Sequence, residues 1–285
     1  MEKMKTYKIK SFDRYDAADI LLKTIMIFIC VFSLLALILP SLLVVVMSFN
    51  AGEYITFPPQ GFSLRWYREM VNDWEIVSAA KVSLKAAAIV VVIDIILGVP
   101  AAWVLVRHSF RGSDLINSFI MMPLMLPGIV IGIGFLFFIS LLGFQISFST
   151  MVLSHVVVTL PYIVRLTMSR LINLDPRLEE ASANLGASTI QTLWYIVLPK
   201  LIGGILAGAA FSFLMSFDNL TVSLFTSSVR DRPLPLQVMY LLRFDVNPVV
   251  AAISSIEIFL AILVIVAGSG MGGGSFALVG GKTEK

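Results

Sequence analysis

Long uncharged apolar runs alternate with short polar connections along the chain. Thr24 to Gly52 and Leu115 to Val164 contain no Asp, Glu, Lys or Arg. A membrane-spanning helix needs about 20 apolar residues to cross a hydrocarbon core of about 30 Å. The pattern therefore predicts about six such helices, at residues 20–47, 76–106, 117–142, 148–171, 200–227 and 249–268.

Composition supports the same conclusion. The chain is 58% hydrophobic and 14% charged, with a mean hydropathy of +0.92. A soluble domain is about 25% charged and about 45–50% apolar. The ten-residue alternation of a membrane barrel is absent. We therefore expect an all-α, polytopic membrane helical bundle, in which the first apolar run is too long for a signal peptide and is retained.

The basic residues predict an orientation. Six spans place both termini on one side, which collects 14 of the 21 Lys and Arg residues, against 7 on the other. The positive-inside rule then puts both termini in the cytoplasm. The predicted organisation is a cytoplasmic N-terminal segment at 1–19, a transmembrane domain at 20–268 and a flexible glycine-rich tail at 269–285. The loop at 172–199 is the longest internal cytoplasmic connection.

This loop carries its own helix signals. Asp175-Pro176 is typical of a helix start, and Gly186 stands where a left-handed residue would end the helix. Ser188 to Gln191 matches a capping box that restarts a helix, which we expect to reach Pro199. Spacing places three apolar side chains on one face of the first helix: Leu178, Ala181 and Leu185.

Two interpretations of the loop follow from the residues alone. It is a capped loop that packs on its own bundle, or an amphipathic element that docks into a groove of a soluble partner. A longer pattern favours docking, because Glu180-Ala181-Ser182 is followed by three residues, Gly186, nine residues and Ile196-Val197-Leu198-Pro199. This resembles the EAA motif, E-A-A-x3-G-x9-I-x-L-P, of binding-protein-dependent ABC importer permeases, with Ser182 in place of the second alanine.

The resemblance extends along the chain. It includes Trp66-Tyr67, Gly98-Val99-Pro100-Ala101-Ala102 and Leu124-Met125-Leu126-Pro127. Ser216-Phe217-Asp218-Asn219 and Leu234-Pro235-Leu236 are similar to the second permease of spermidine/putrescine-type transporters. That subgroup implies a polyamine as solute, or an opine-like or amino-acid-like compound.

Membership of this family would imply a bacterial inner membrane protein with several partners. These are cytoplasmic ABC ATPase subunits, a homologous second permease and an extracytoplasmic solute-binding protein, which residues 50–75 and 229–248 would face. The loop would form a coupling helix seated on the ATPase. The residues expected to mediate ATPase coupling are Leu178, Glu180, Ala181, Ser182, Leu185, Gly186, Ile196, Leu198 and Pro199.

Three acidic residues lie within predicted spans: Asp94, Asp218 and Glu257. An ionised group at the centre of a span costs at least about 2.5–3.5 kcal/mol on insertion scales, so such groups usually face a bundle interior or a water path. We expect them, with Asn219, to line a translocation pathway that favours cationic cargo. The alternative is that each is structural and hydrogen-bonded to backbone or hydroxyl groups. His155 is expected to be a hydrogen-bonded packing residue.

Several activities are unsupported by the sequence. It lacks a G-x-x-x-x-G-K-[ST] phosphate loop, a G-x-S-x-G elbow and a Cys/His cluster, and Cys30 is the single cysteine. We therefore expect no catalysis, no cofactor, no metal site and no nucleic-acid partner, but extensive contact with lipid. A secondary transporter or channel that couples ions through the same acids remains an alternative, although it would require inverted repeats, which are not apparent.

Overall fold

The structure is a computed structural model that describes residues 13–54, 56, 58–108, 110–244 and 247–271. Most of the predicted N-terminal segment, and the predicted tail from residue 272, lie outside the described residues. Those described form helices without strands, which confirms the all-α prediction. In chain order the helices are α1 (Asp13–Met47), α2 (Arg65–Asn72), α3 (Trp74–Arg107), α4 (Ser113–Met121), α5 (Gly128–Leu141), α6 (Phe148–Ile172), α7 (Arg177–Asn184), α8 (Thr189–Thr192), α9 (Leu198–Phe217), α10 (Leu220–Thr226), α11 (Leu234–Phe244) and α12 (Val249–Met271).

Five helical segments are long and apolar enough to cross a membrane, and a broken pair forms the sixth if it is one span. The five are α1, α3, α6, the continuous α8–α9 segment and α12. The prediction of one helix at 117–142 was wrong, because α4 and α5 meet at 105°. Pro123 lies in a 3₁₀ turn between them and Pro127 immediately precedes α5. Proline removes a backbone donor and clashes with the preceding turn, so the helix breaks there.

The predicted span at 200–227 is also interrupted. Helix α9 ends at Phe217, and Asp218 and Asn219 separate it from α10. The Asn219 side chain accepts a hydrogen bond of 3.1 Å from the Val222 amide, so it starts a new helix. This asparagine cap explains why an apolar run of sufficient length forms two helices.

The expected helix end at Pro199 was wrong as well. Residues 189–217 form one continuous helical span, with a π-helical stretch at Leu193–Val197. Pro199 lies in the turn that follows this stretch. The wider π turn accommodates the proline ring, so the chain passes from loop to membrane span without a break.

The centre of the bundle is formed by α3, α6 and α9. Glycines bring α9 close to α6: a side chain on Gly204 would meet the Leu166 carbonyl oxygen at 2.9 Å, and one on Gly208 would meet the Ile163 Cα at 2.9 Å. Small residues permit such an approach in lipid, where van der Waals packing drives helix association.

Gly208→Val is expected to destabilise the bundle by about 1–3 kcal/mol, because a side chain there meets backbone that cannot rotate away. Thermal unfolding of the detergent-purified protein measures the effect. Gly134→Val on α5 is the matched control, since no atom lies within 4 Å of a side chain at that position. Equal melting temperatures for the two variants would contradict close α6–α9 packing.

Helix α1 differs from the other spans because its apolar window is fully exposed within this chain. Among its described side chains, those that pack on the bundle lie in its C-terminal part, mainly against α12. Its exposed residues are large and apolar, including Phe28, Phe32 and Leu37. Helix α1 therefore presents a long apolar surface to lipid or to another membrane subunit.

Candidate coupling loop and acidic cleft

The first helix of the loop at 172–199, α7, begins and ends as its sequence predicts. Asp175 Oδ1 accepts a hydrogen bond of 2.9 Å from the Arg177 amide at the start. At the end, Gly186 has φ +86°. The amide of Gly186 donates to the Ala183 carbonyl at 2.9 Å, and the amide of Ala187 donates to the Ser182 carbonyl at 3.2 Å. This is the Schellman arrangement, in which a left-handed residue closes the helix.

The second part of the loop restarts at the predicted capping box. The Gln191 amide donates to Ser188 Oγ at 3.3 Å, and the Ser188 amide donates to Gln191 Oε1 at 2.8 Å. The hydroxyl groups of Ser182 and Thr192 are hydrogen-bonded at 3.0 Å and hold α7 against α8. The departure from the alanine of the motif therefore adds a buried contact within the loop.

The loop exposes most of the residues predicted to face a partner. Leu185 is 90% exposed and Leu178 is 41% exposed, and Glu180, Ala181, Gly186 and Pro199 are exposed as well. Ser182 is buried, and Ile196 and Leu198 are half-buried. Three further exposed apolar side chains were not selected from the sequence: Ile190, Trp194 and Tyr195. A short amphipathic helix leading into a span is the pattern that would have indicated them.

The base of the loop is anchored to the bundle. Leu171, Val197 and Leu201 form a fully buried cluster with which Trp103 and Leu174 pack. Beside it, Arg107 Nε donates to Glu179 Oε1 at 2.6 Å. The sequence indicated both ends of α7 and the start of α8 but not this ion pair, since only tertiary packing brings α3 to α7.

The predicted pathway residue Asp94 is enclosed within the bundle. Its Oδ2 accepts hydrogen bonds from Thr159 Oγ1 at 2.6 Å and from Ser212 Oγ at 2.5 Å. The carboxylate thus joins α3, α6 and α9. Its Oδ1 is buried and has no hydrogen-bond partner among the described residues. In this conformation the contacts of Asp94 are those of a structural group.

His155 ties α6 to both sides of the break between α9 and α10. Its Nδ1 is 3.0 Å from Ser216 Oγ, and its Nε2 is 2.9 Å from Ser223 Oγ. A hydroxyl can donate or accept, so both contacts form in either neutral tautomer. The histidine is buried and hydrogen-bonded, as expected of a packing residue.

Two predicted pathway residues lie in the same cleft. Asp218 and Glu257 line a cavity of about 390 Å³ between the end of α9 and α12. Glu257 Oε1 is buried without a hydrogen-bond partner among the described residues. The other lining residues are apolar or small, and none is basic: Leu214, Met215, Phe217, Ser254, Ile258, Leu260 and Ala261. This acidic cleft combines two carboxylates with apolar walls, whereas Asp94 and Asn219 lie elsewhere.

The chain resembles known transport proteins in sequence. It is 32% identical over 232 residues to the spermidine/putrescine transport system permease protein PotC of Escherichia coli (strain K12), covering 81% of this chain and 87% of that protein. It is 34% identical over 224 residues to the putrescine transport system permease protein PotI of the same organism, covering 76% and 79%.

Solved structures share the fold at low sequence identity. A bacterial alginate ABC transporter in complex with a periplasmic protein that holds an alginate pentasaccharide matches with a TM-score of 0.69 at 12% identity, over 91% of this chain and 96% of that one. The inward-facing MetNI methionine ABC transporter matches with a TM-score of 0.60 at 17% identity, over 70% and 95%.

The family model of the binding-protein-dependent transport system inner membrane component matches residues 94–272. That range contains the loop at 172–199, the acidic cleft, all of α6 and α9 and the C-terminal part of α3. Together with the two relatives, it shows that this chain is a member of the family of binding-protein-dependent transport system inner membrane components.

Proposed function

We propose that this permease imports a polyamine, such as spermidine or putrescine, and forms half of the translocation pathway. The acidic cleft is the observation that carries the proposal. Two carboxylates suit ammonium groups, and apolar walls suit the methylene chain between them. The names of the sequence relatives point to the same solutes.

The cleft favours a polyamine over an opine-like or amino-acid-like compound. Those solutes carry a carboxylate, which a basic side chain would normally bind. The residues that line the cleft include no Lys or Arg. We assign the pathway roles to Asp218 and Glu257, place Asn219 at the adjoining helix break, and assign Asp94 a structural role.

A second, homologous permease would complete the pathway. The acidic cleft lies at the surface of a single chain, and α1 has an apolar face that this chain leaves uncovered. A solute-binding protein would deliver the cargo from outside, and both termini would be cytoplasmic. ATP hydrolysis would belong to separate ATPase subunits, which leaves this chain non-catalytic.

Coupling would operate by alternating access. ATP-dependent closure of the ATPase subunits would move α7 and shift the bundle between outward-open and inward-open states. Such coupling requires the ATPase and the solute each to bind the two states with different free energies. The α7–α8 pair, held together by the contact between Ser182 and Thr192, would transmit this movement.

Uptake by the complete transporter in liposomes tests the proposal. The chain is reconstituted with its ATPase, second permease and binding protein, and entry of radiolabelled putrescine is measured with ATP or ADP inside. We expect accumulation only with ATP, and competition by unlabelled spermidine but not by octopine. Uptake that persists with ADP and follows a proton gradient would contradict the proposal and favour the secondary transporter.

A further inference from the structure

We propose that the ion pair between Arg107 and Glu179 is a positioning contact that transmits the movement of the coupling helix α7 to the central span α3. The inference rests on the proposed function, since it assumes that α7 docks on an ATPase. It assigns a role to two residues outside the docking surface and outside the acidic cleft.

The geometry makes this contact a firm attachment. Arg107 is the last residue of α3, and Glu179 lies in the first turn of α7. The guanidinium makes two contacts: Nε reaches Glu179 Oε1 at 2.6 Å, and Nη2 reaches the Leu174 carbonyl oxygen at 2.9 Å. Since a guanidinium is planar and rigid, these contacts from two of its nitrogens hold the end of α3 against the start of α7 and against the connection that precedes it.

The surroundings of the pair distinguish it from ordinary surface ion pairs. The side chains of Arg107 and Glu179 are 13% and 17% exposed. The other two salt bridges within the described part of the chain join Arg65 to Glu53 and to Glu69, and the exposed fractions of these three side chains lie between 48% and 70%. Exposed pairs contribute little, whereas removing one partner of a sheltered pair leaves a charge without compensation.

The loop is connected to the bundle in two ways. The first connection is covalent, because α8 continues through the π-helical stretch into α9. The second is the ion pair, which joins α7 to α3. Helices α9 and α3 then contact each other within the membrane, where Ser212 of α9 donates a hydrogen bond to Asp94 of α3. Beyond Ser212, α9 continues to Asp218 in the acidic cleft. A contiguous set of contacts therefore joins the coupling helix to the cleft.

Variants in which one side chain of the ion pair is replaced by a neutral one test, in the reconstituted transporter, whether the pair transmits the movement of α7 to α3. Arg107→Gln and Glu179→Gln are each expected to co-purify normally with the ATPase and to hydrolyse ATP. The amount of putrescine imported per ATP hydrolysed is expected to fall by about fivefold or more, the lower end of typical allosteric coupling. The exchange R107E/E179R restores the opposite charges and is expected to recover part of the loss.

Asp114→Asn is the matched control, because it neutralises an exposed acid in the first turn of α4, outside the docking surface and the acidic cleft, and should leave the ratio unchanged. Unaltered import per ATP in both single variants would overturn the inference. So would an exchange variant that regains the melting temperature of the wild type without regaining import per ATP, since that result assigns the pair a purely structural role. Failure of the proposed function is distinguishable, because the wild type itself would then show no ATP-dependent uptake.

Discussion

Gly186→Val is expected to abolish ATP-driven uptake while the permease still folds and inserts. Gly186 has φ +86°, a left-handed conformation that costs a residue with a side chain about 1–2 kcal/mol, and a β-branched residue more. Nothing lies within 4 Å of a side chain at this position, so the effect arises from the backbone and not from a clash. Relief of the strain would rotate α7 relative to α8 and misalign the docking surface. Co-purification with the ATPase and ATP-dependent uptake measure the result.

Two further variants test whether backbone strain at Gly186 itself causes the loss of uptake. Gly112→Val introduces similar strain in the connection between α3 and α4, because Gly112 has φ +98° and a side chain there would also meet no neighbouring atom within 4 Å. It should retain binding of the ATPase. Gly186→Asn should retain most activity, since asparagine tolerates the left-handed region. Normal uptake by Gly186→Val, or equal loss from Gly112→Val, would mean that the loop packs on its own bundle without a coupling role.

The local features of the loop at 172–199 were predictable because neighbouring residues determine them. The capping box of Ser188 and Gln191 and the left-handed turn at Gly186 depend on hydrogen bonds across three to five residues. The breaks between α4 and α5 and between α9 and α10 were less predictable from the sequence. Hydropathy is continuous through Pro127 and through Asp218, and lipid-embedded helices often tolerate proline. Length and hydropathy therefore indicate that a span exists but not that it is broken.

The sequence could identify the candidate acidic residues, but not which of them lie together in the acidic cleft. An acid within an apolar run is costly, so Asp94, Asp218 and Glu257 could each be selected from the sequence. Which of them share a cleft depends on how α3, α9 and α12 pack. Neighbouring Ser and Thr residues enclose Asp94, whereas the end of α9 leaves Asp218 beside Glu257.

Asp218→Asn is expected to lower polyamine uptake strongly without loss of assembly. The amide has nearly the shape of the carboxylate, so packing at the end of α9 is retained, but its charge is lost. A hydrogen bond between charged groups contributes about 1.5–3 kcal/mol, which corresponds to roughly tenfold to hundredfold at subsaturating solute. Initial rates of ATP-dependent putrescine uptake, with the amount of assembled complex determined in parallel, measure the effect.

The shared cleft also predicts how the effects of substituting Asp218 and Glu257 combine. Glu257→Gln should also lower uptake. The fold-loss of uptake in the double variant should be smaller than the product of the two single fold-losses, because both carboxylates bind the same polyamine molecule. Asp114→Asn, which neutralises an exposed acid outside the cleft, should leave uptake unchanged. Losses that multiply independently would place the two acids at separate points of the pathway, and unchanged kinetics for Asp218→Asn would remove that residue from the pathway.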